Sequence, residues 1–279
     1  MTEHSRAVAD VQELYRQGTD VRPHSFDEAS ARAYFRDYVG FVSGEAPAGG
    51  RALDVGCGSG WTSLLLHEAG LDTVGVDLTA DAFEVAARDR LTFVAGNAMS
   101  LPFPDSTFDV VSGYQMLEHV PDPAQALSEF ARVLRPGGVV CVVGPNLVSP
   151  FVCARSLVLY VPKNRPLSTI LFRNESMPRH PSGNTAPEVI ASIVRNTVRL
   201  ARKLASPEAT FTMRTPDTKP PFHSDNDACY LCNPVDLARY FGRRGYNITR
   251  VTKPGRTKVA GLFAGGTWFA ARKPSGPTP

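Results

Sequence analysis

A chain of 279 residues with 43% hydrophobic and 20% charged residues can fill a core and keep a soluble surface, so disordered and fibrous classes are excluded. A formal net charge of only +3 makes no overall demand for nucleic acid as a partner. No apolar run approaches the roughly 18 residues of a membrane-spanning helix, and Met1 to Gln17 mixes Glu3, Arg6, Asp10 and Arg16 without the apolar stretch of a signal peptide.

In chain order, residues 1–48 read as a helical segment, with Phe26, Ala29, Ala33, Phe35, Tyr38 and Phe41 recurring among charges before Pro47 ends it. From Arg51 the pattern alternates. Apolar runs at Ala52–Val55, Thr73–Val76, Leu91–Val94, Phe108–Ser112 and Val139–Val143 predict strands. Helices are predicted between them at Trp61–Ala69, Ala80–Arg90 and Pro123–Leu134. Repeated strand–helix–strand predicts an α/β fold, a parallel sheet with helices on both faces. The rhythm breaks after Pro145. Between Arg155 and Arg214 there are ten basic residues against three acidic ones, a block expected to be an inserted cap over residues 147–225. Within it, Pro187 to Ala205 predicts a helix. Ile190, Ile193, Val194, Ala201 and Leu204 should form its apolar side, and Arg195, Arg199, Arg202 and Lys203 a basic one. That basic side suits a solvated lid, recognition of an anionic small substrate, or contact with an anionic membrane. The alternation resumes with a helix at Pro234–Arg244 and strands at Tyr246–Val251 and Leu262–Ala271. The expected units are thus 1–48, a core at 51–145, the cap, and the rest of the sheet at 226–273, all within one domain.

Chemistry concentrates in Asp54-Val55-Gly56-Cys57-Gly58-Ser59-Gly60, between a strand and a helix. Glycines there let the chain turn sharply and let a ligand lie against the main chain, beside the free N–H groups of a helix start. The spacing departs from the dinucleotide fingerprint G-x-G-x-x-G, because Trp61 stands where its last glycine belongs, which disfavours NAD. Asp77 ends the second strand 21 residues beyond Gly56, where a carboxylate can accept both hydroxyls of a ribose or simply cap the next helix.

These residues resemble the first motif and its successors in class I S-adenosylmethionine (SAM)-dependent methyltransferases. The likeness runs from Arg51 to about Pro145. Gln115-Met116-Leu117-Glu118-His119-Val120-Pro121-Asp122-Pro123 is similar to the small-molecule branch that includes ubiquinone-biosynthesis O-methyltransferases. The resemblance implies a seven-stranded Rossmann-like sheet, SAM as cofactor, S-adenosylhomocysteine (SAH) as product and a small-molecule acceptor methylated on O, N or C. It implies that the loop Gly56, Cys57, Gly58, Ser59 and Gly60 passes under the methionine and ribose. Asp54 would orient that loop or meet the amino group. Asp77 would hold the ribose with Leu78 beside the adenine, Asn97, Ala98 and Met99 would lie at the adenine, and Gln115 would line the methionine end. The family usually has Asp at the position of Asn97, whose amide oxygen still accepts. Pro136-Gly137-Gly138 matches the turn into strand five.

His119, just past the fourth strand, suits a general base, since histidine titrates near neutral pH; it also suits a brace for the following helix. A metal is not expected, because the family's first carboxylate ligand is replaced by Gln115 and because Cys229 and Cys232 have no second ligand pair in sequence. These two, with Cys57, Cys141 and Cys153, are expected as reduced, structural thiols in a cytoplasmic protein. A nucleic-acid or protein methyltransferase, or a non-catalytic SAM-binding scaffold, is the alternative.

Overall fold

The computed structural model describes residues 26–78, 91–150, 186–216, 227–253 and 262–276, with Ala9, Glu13, Gly255 and Thr257 besides. The predicted helix at 80–90 and the stretches 151–185 and 217–226 of the expected cap lie outside them.

Helix α1 (Glu28–Glu45) opens the described chain, and Asp27 caps it by accepting the Ser30 N–H at 2.7 Å. Then follow β1 (Arg51–Val55), α2 (Trp61–Glu68), β2 (Asp72–Asp77), β3 (Thr92–Ala95) and β4 (Phe108–Tyr114). A single 3₁₀ turn at Leu117–His119 leads to α3 (Pro123–Val133) and β5 (Leu134–Pro145). After α4 (Ala186–Ala205) come α5 (Pro234–Gly242), β6 (Asn247–Arg250) and β7 (Gly266–Arg272). Asp122 and Asn233 each accept a main-chain N–H three residues on, and each is followed by proline at the first helical position. Such a cap stabilises a helix by about 1 kcal/mol.

The seven strands lie in the order β3-β2-β1-β4-β5-β7-β6, with β7 antiparallel to both neighbours and the others parallel. The α/β alternation and the seven-stranded Rossmann-like sheet implied by the resemblance are therefore present. The predicted last strand begins later than the sequence suggested, because Leu262 and Phe263 form a helical turn and the chain straightens only at Gly266. The larger core packs Leu53, Val76, Phe108, Val111, Leu127 and Phe130 on one face of the sheet. On the other, Tyr38, Phe41 and Val42 of α1 cover Ala52, Val110 and Cys141. Strand order reverses between β1 and β4, so a crevice opens at their carboxyl ends, where open α/β sheets bind ligands.

The described part of the expected cap holds α4 and an irregular run to residue 216. Its orientation corrects the sequence reading. Val194, Ala201 and Leu204 face solvent, whereas Lys203, expected on the exposed basic side, is buried with Asn196 and Leu200. The reason is electrostatic: Lys203 Nζ donates to Asp236 Oδ2 at 2.6 Å and to the Thr210 carbonyl at 2.7 Å. Asp236 also accepts from the Tyr230 hydroxyl, the Asn233 amide and the Thr210 N–H. A buried charge must be paired and hydrogen-bonded. Periodicity alone is blind to that pairing.

Candidate cofactor site

The site begins with turns that only glycine tolerates well. Gly56, Gly58 and Gly60 have φ of +70°, +53° and +89°, the left-handed region. A Cβ on Gly56 would lie 2.6 Å from Cβ of Met116, so the loop sits hard against the segment after β4. At Gly58 a Cβ would meet nothing within 4 Å. Gly58 thus faces open space at the carboxyl edge, a cradle that a side chain would fill. The Gly56 and Cys57 N–H groups donate to the Val76 carbonyl at 2.8 and 3.2 Å, tying the loop to β2.

Asp77 stands at the tip of β2, and its Oδ2 accepts the Gly58 N–H at 2.8 Å. The loop and the carboxylate, separate signals in the sequence, form one hydrogen-bonded unit. Leu78 follows, half-buried. Beside it, at the end of β3, Asn97 Oδ1 accepts the Met99 N–H at 2.9 Å, which folds Asn97, Ala98 and Met99 into a tight turn. An amide oxygen has two lone pairs, so one remains for an exocyclic amine. Gln115 follows β4 directly with φ of +50°, a conformation uncommon outside glycine, and its side chain is exposed. Its N–H is held by the Val143 carbonyl at 2.7 Å.

Two expected site residues point inward. Asp54 is 1% exposed; Oδ2 accepts from the hydroxyls of Thr62 and Ser63 at 2.6 and 2.8 Å, and Oδ1 from Tyr38 at 3.2 Å. These bonds tie Asp54 to the first turn of α2 and to α1. Burial raises its carboxyl to about 6, against the pull of the three hydroxyls. Cys57 is buried too, its thiol pushed well above the usual range by burial, so it offers the loop its backbone. Ser59 stays partly exposed beside the cradle.

The sequence reading missed the aromatic wall over this edge. Tyr34, Phe35 and Tyr38 of α1 pack their rings on Tyr114, with centroids 6.0, 5.3 and 5.0 Å away. The aromatic spacing of α1 was visible; its partner at the end of β4 was not. Also missed was Asp227. Its Oδ2 lies 3.1 Å from Nδ1 of His119, while Glu118 Oε1 lies 3.8 Å from Nε2. The Glu118 carbonyl accepts the N–H groups of Cys229 and Tyr230. His119 is therefore part of a clasp joining the turn after β4 to the segment before α5. Cys229 and Cys232 are buried in that segment, the Cys229 thiol pushed up to about 12 by burial.

Comparison with known proteins agrees with this geometry. Residues 53–142 match the model of the methyltransferase domain. These residues are a class I, SAM-dependent methyltransferase domain. The chain is similar to a demethylmenaquinone methyltransferase of Renibacterium salmoninarum, at 41% identity over 38% of this chain and 44% of that one. It is also similar to a ubiquinone biosynthesis O-methyltransferase of Methylococcus capsulatus, at 41% identity over 33% and 42% of the two chains. It thus spans less than half the length of these curated relatives. A candidate SAM-dependent methyltransferase from Listeria monocytogenes shares the fold, with a TM-score of 0.53 at 13% identity over 88% of this chain and 99% of that one. SAM is the cofactor indicated for the methyltransferase domain, and the open cradle at Gly58, bordered by Asp77, fits it.

Proposed function

We propose that the protein transfers a methyl group from SAM to a small-molecule acceptor, on O, N or C, and releases SAH. The single observation that carries this reading is the bond between Gly58 N–H and Asp77 Oδ2 beside an open cradle, inside a matched methyltransferase domain. The relatives named for quinone methylation support a small, lipid-like or specialised-metabolite acceptor. A cytoplasmic location goes with such a role and belongs to the same proposal.

SAM supplies an already activated methyl on its sulfonium. The protein's task is then to hold and orient. Gly56 to Gly60 would hold the methionine and ribose, Asp77 the ribose hydroxyls, Leu78 and Asn97 to Met99 the adenine, and Gln115 the methionine end. Orientation of this kind supplies about 7–11 kcal/mol in favourable cases. Gln115 holds a left-handed backbone, a local strain that its N–H bond to the Val143 carbonyl helps to maintain. For His119 the geometry favours bracing, because Asp227 and Glu118 flank its two nitrogens; removal of an acceptor proton by His119 stays within the proposal as the alternative role.

The test combines SAH calorimetry with transfer of labelled methyl from SAM to a panel of quinols, phenols, amines and carbon acids. Binding of SAH with transfer to one acceptor class is expected. Tight SAH binding with no transfer to any class would make the protein a scaffold, and no SAH binding would refute the site. In the same assay His119→Ala separates its roles. A turnover lowered by about 10²–10⁴ with unchanged SAH affinity indicates a base, whereas lowered thermal stability and little change in turnover per folded molecule indicate a brace.

A further inference from the structure

Helix α4 divides its surface in an unusual way. Its buried side carries Asn196, Leu200 and Lys203, with Leu200 packed among Leu147, Val148, Leu231 and Val235 and Lys203 anchored to Asp236. Its outward side carries Val194, Val198 and Leu204, which are 56%, 43% and 45% exposed. Thr197, Ala201 and Ala205 lie among them on that outward side, and all three are exposed. Scattered exposed apolar residues are ordinary on soluble proteins. Here three of the five large ones among the described residues fall on a single helix at helical spacing.

The charge beside this apolar arc is predominantly basic. At 100° per residue, Arg202, Arg195 and Arg199 follow Val198 around the helix, between the apolar arc and the buried side. Arg202 is exposed. The next helix continues the rim: the Arg239 guanidinium donates to the Leu204 carbonyl, Arg244 is exposed just beyond it, and Arg243 pairs with Glu208 at 3.3 Å. An apolar strip with a flank in which basic residues outnumber acidic ones is complementary to one kind of surface above others, a layer of anionic headgroups over acyl chains. The anchoring of Lys203 matters here, because it fixes which side of α4 faces outward.

We propose that the outward face of α4 docks on an anionic lipid bilayer, lying in the interface with its valines and Leu204 among the acyl boundary and its arginines among the headgroups. The docking rests on surface chemistry and holds whichever acceptor is methylated. No described helix is long and apolar enough to cross a membrane, so the contact is peripheral.

The experiment is co-sedimentation of the full chain with phosphatidylcholine vesicles, with and without phosphatidylglycerol. Binding is expected on the anionic vesicles, weakened by added salt, and at least about tenfold weaker on pure phosphatidylcholine. The double variants Val194→Asp with Val198→Asp, and Arg195→Glu with Arg202→Glu, should each lose at least about tenfold in binding to anionic vesicles. Their helical content and SAH affinity should match the parent, so a failure of docking is distinguishable from a failure of the cofactor site. Three results overturn the proposal: no binding of the parent to anionic vesicles, equal binding of parent and variants, or a dimer in solution that the valine variants dissolve without any vesicle binding. The last would assign the face to a second copy of the chain.

Discussion

The two halves of the sheet are held together by different physics. Around β1 to β4 the polar atoms gather at the carboxyl edge, and the tie between loop and strand is backbone: glycine turns, the Val76 carbonyl, and Asp77 on the Gly58 N–H. Around β5 to β7 the chain brings back a distant helix and fixes it with a buried ionic knot, Lys203 with Asp236, Tyr230, Asn233 and Thr210. The first arrangement leaves space for a ligand. The second sets the orientation of a surface. A fold can thus spend its glycines where something must fit and its buried charges where something must not turn.

The largest effect should come from the knot. Lys203→Met leaves Asp236 buried without its cation, and removing one partner of a buried pair costs about 3–5 kcal/mol. Urea unfolding should show that loss, while SAH affinity of the folded fraction stays near that of the parent. If SAH binding falls in parallel, the two halves are not independent. The mirror experiment is Gly58→Val. A branched side chain both fills the cradle and strains a backbone at φ of +53°. Calorimetry should show SAH affinity reduced at least about a hundredfold, about 2.7 kcal/mol or more, in a protein that still folds. Unchanged affinity would displace the site.

Asp77→Ala should cost less. Losing a hydrogen-bonding carboxylate weakens binding by about 1.5–3 kcal/mol, ten- to hundredfold in dissociation constant. A change below about twofold would leave Asp77 as a mere partner of Gly58. The smallest effect is a titration. Asp54 has a folded-state value of about 6 against an ordinary 3.8, so the folded protein holds this proton more tightly than the unfolded chain. Its contribution is complete below the ordinary value and is lost as pH rises through the folded one. Between about pH 6 and about pH 5 it should add about 1 kcal/mol of stability on acidification. Comparing the parent with Asp54→Asn by thermal unfolding across that range isolates it, because the variant has nothing to titrate there.

The same contrast explains what the sequence revealed. Asp54 to Gly60 and Asp77 were readable in position because local spacing places them: a glycine turn after a strand, and an acid at the next strand's tip. The strands were readable because a two-sided buried sheet demands continuous apolar runs. Tyr38, Thr62 and Ser63 were not readable as partners of Asp54, since contacts between α1, β1 and α2 are made only when the layers close. Helix α4 was legible as a helix and misleading as a surface. Its apolar periodicity was real, but one ammonium 33 residues from its carboxylate decided which side went in. Asp227 beside His119 was hidden for the same reason, being 108 positions away in the chain.

One consequence follows from where these ties fall in the chain. Strand β5 pairs along seven registered positions with β7, from Val139 opposite Arg272 to Pro145 opposite Gly266. The Lys203 knot, meanwhile, lies wholly on the carboxyl-terminal side of residue 185. The pairing of β5 with β7 therefore joins the two parts without passing through residues 151–185. A protease cut, or a gene split, within residues 151–185 should yield two fragments that copurify without a covalent link, the second completing the sheet of the first as a missing stave completes a barrel.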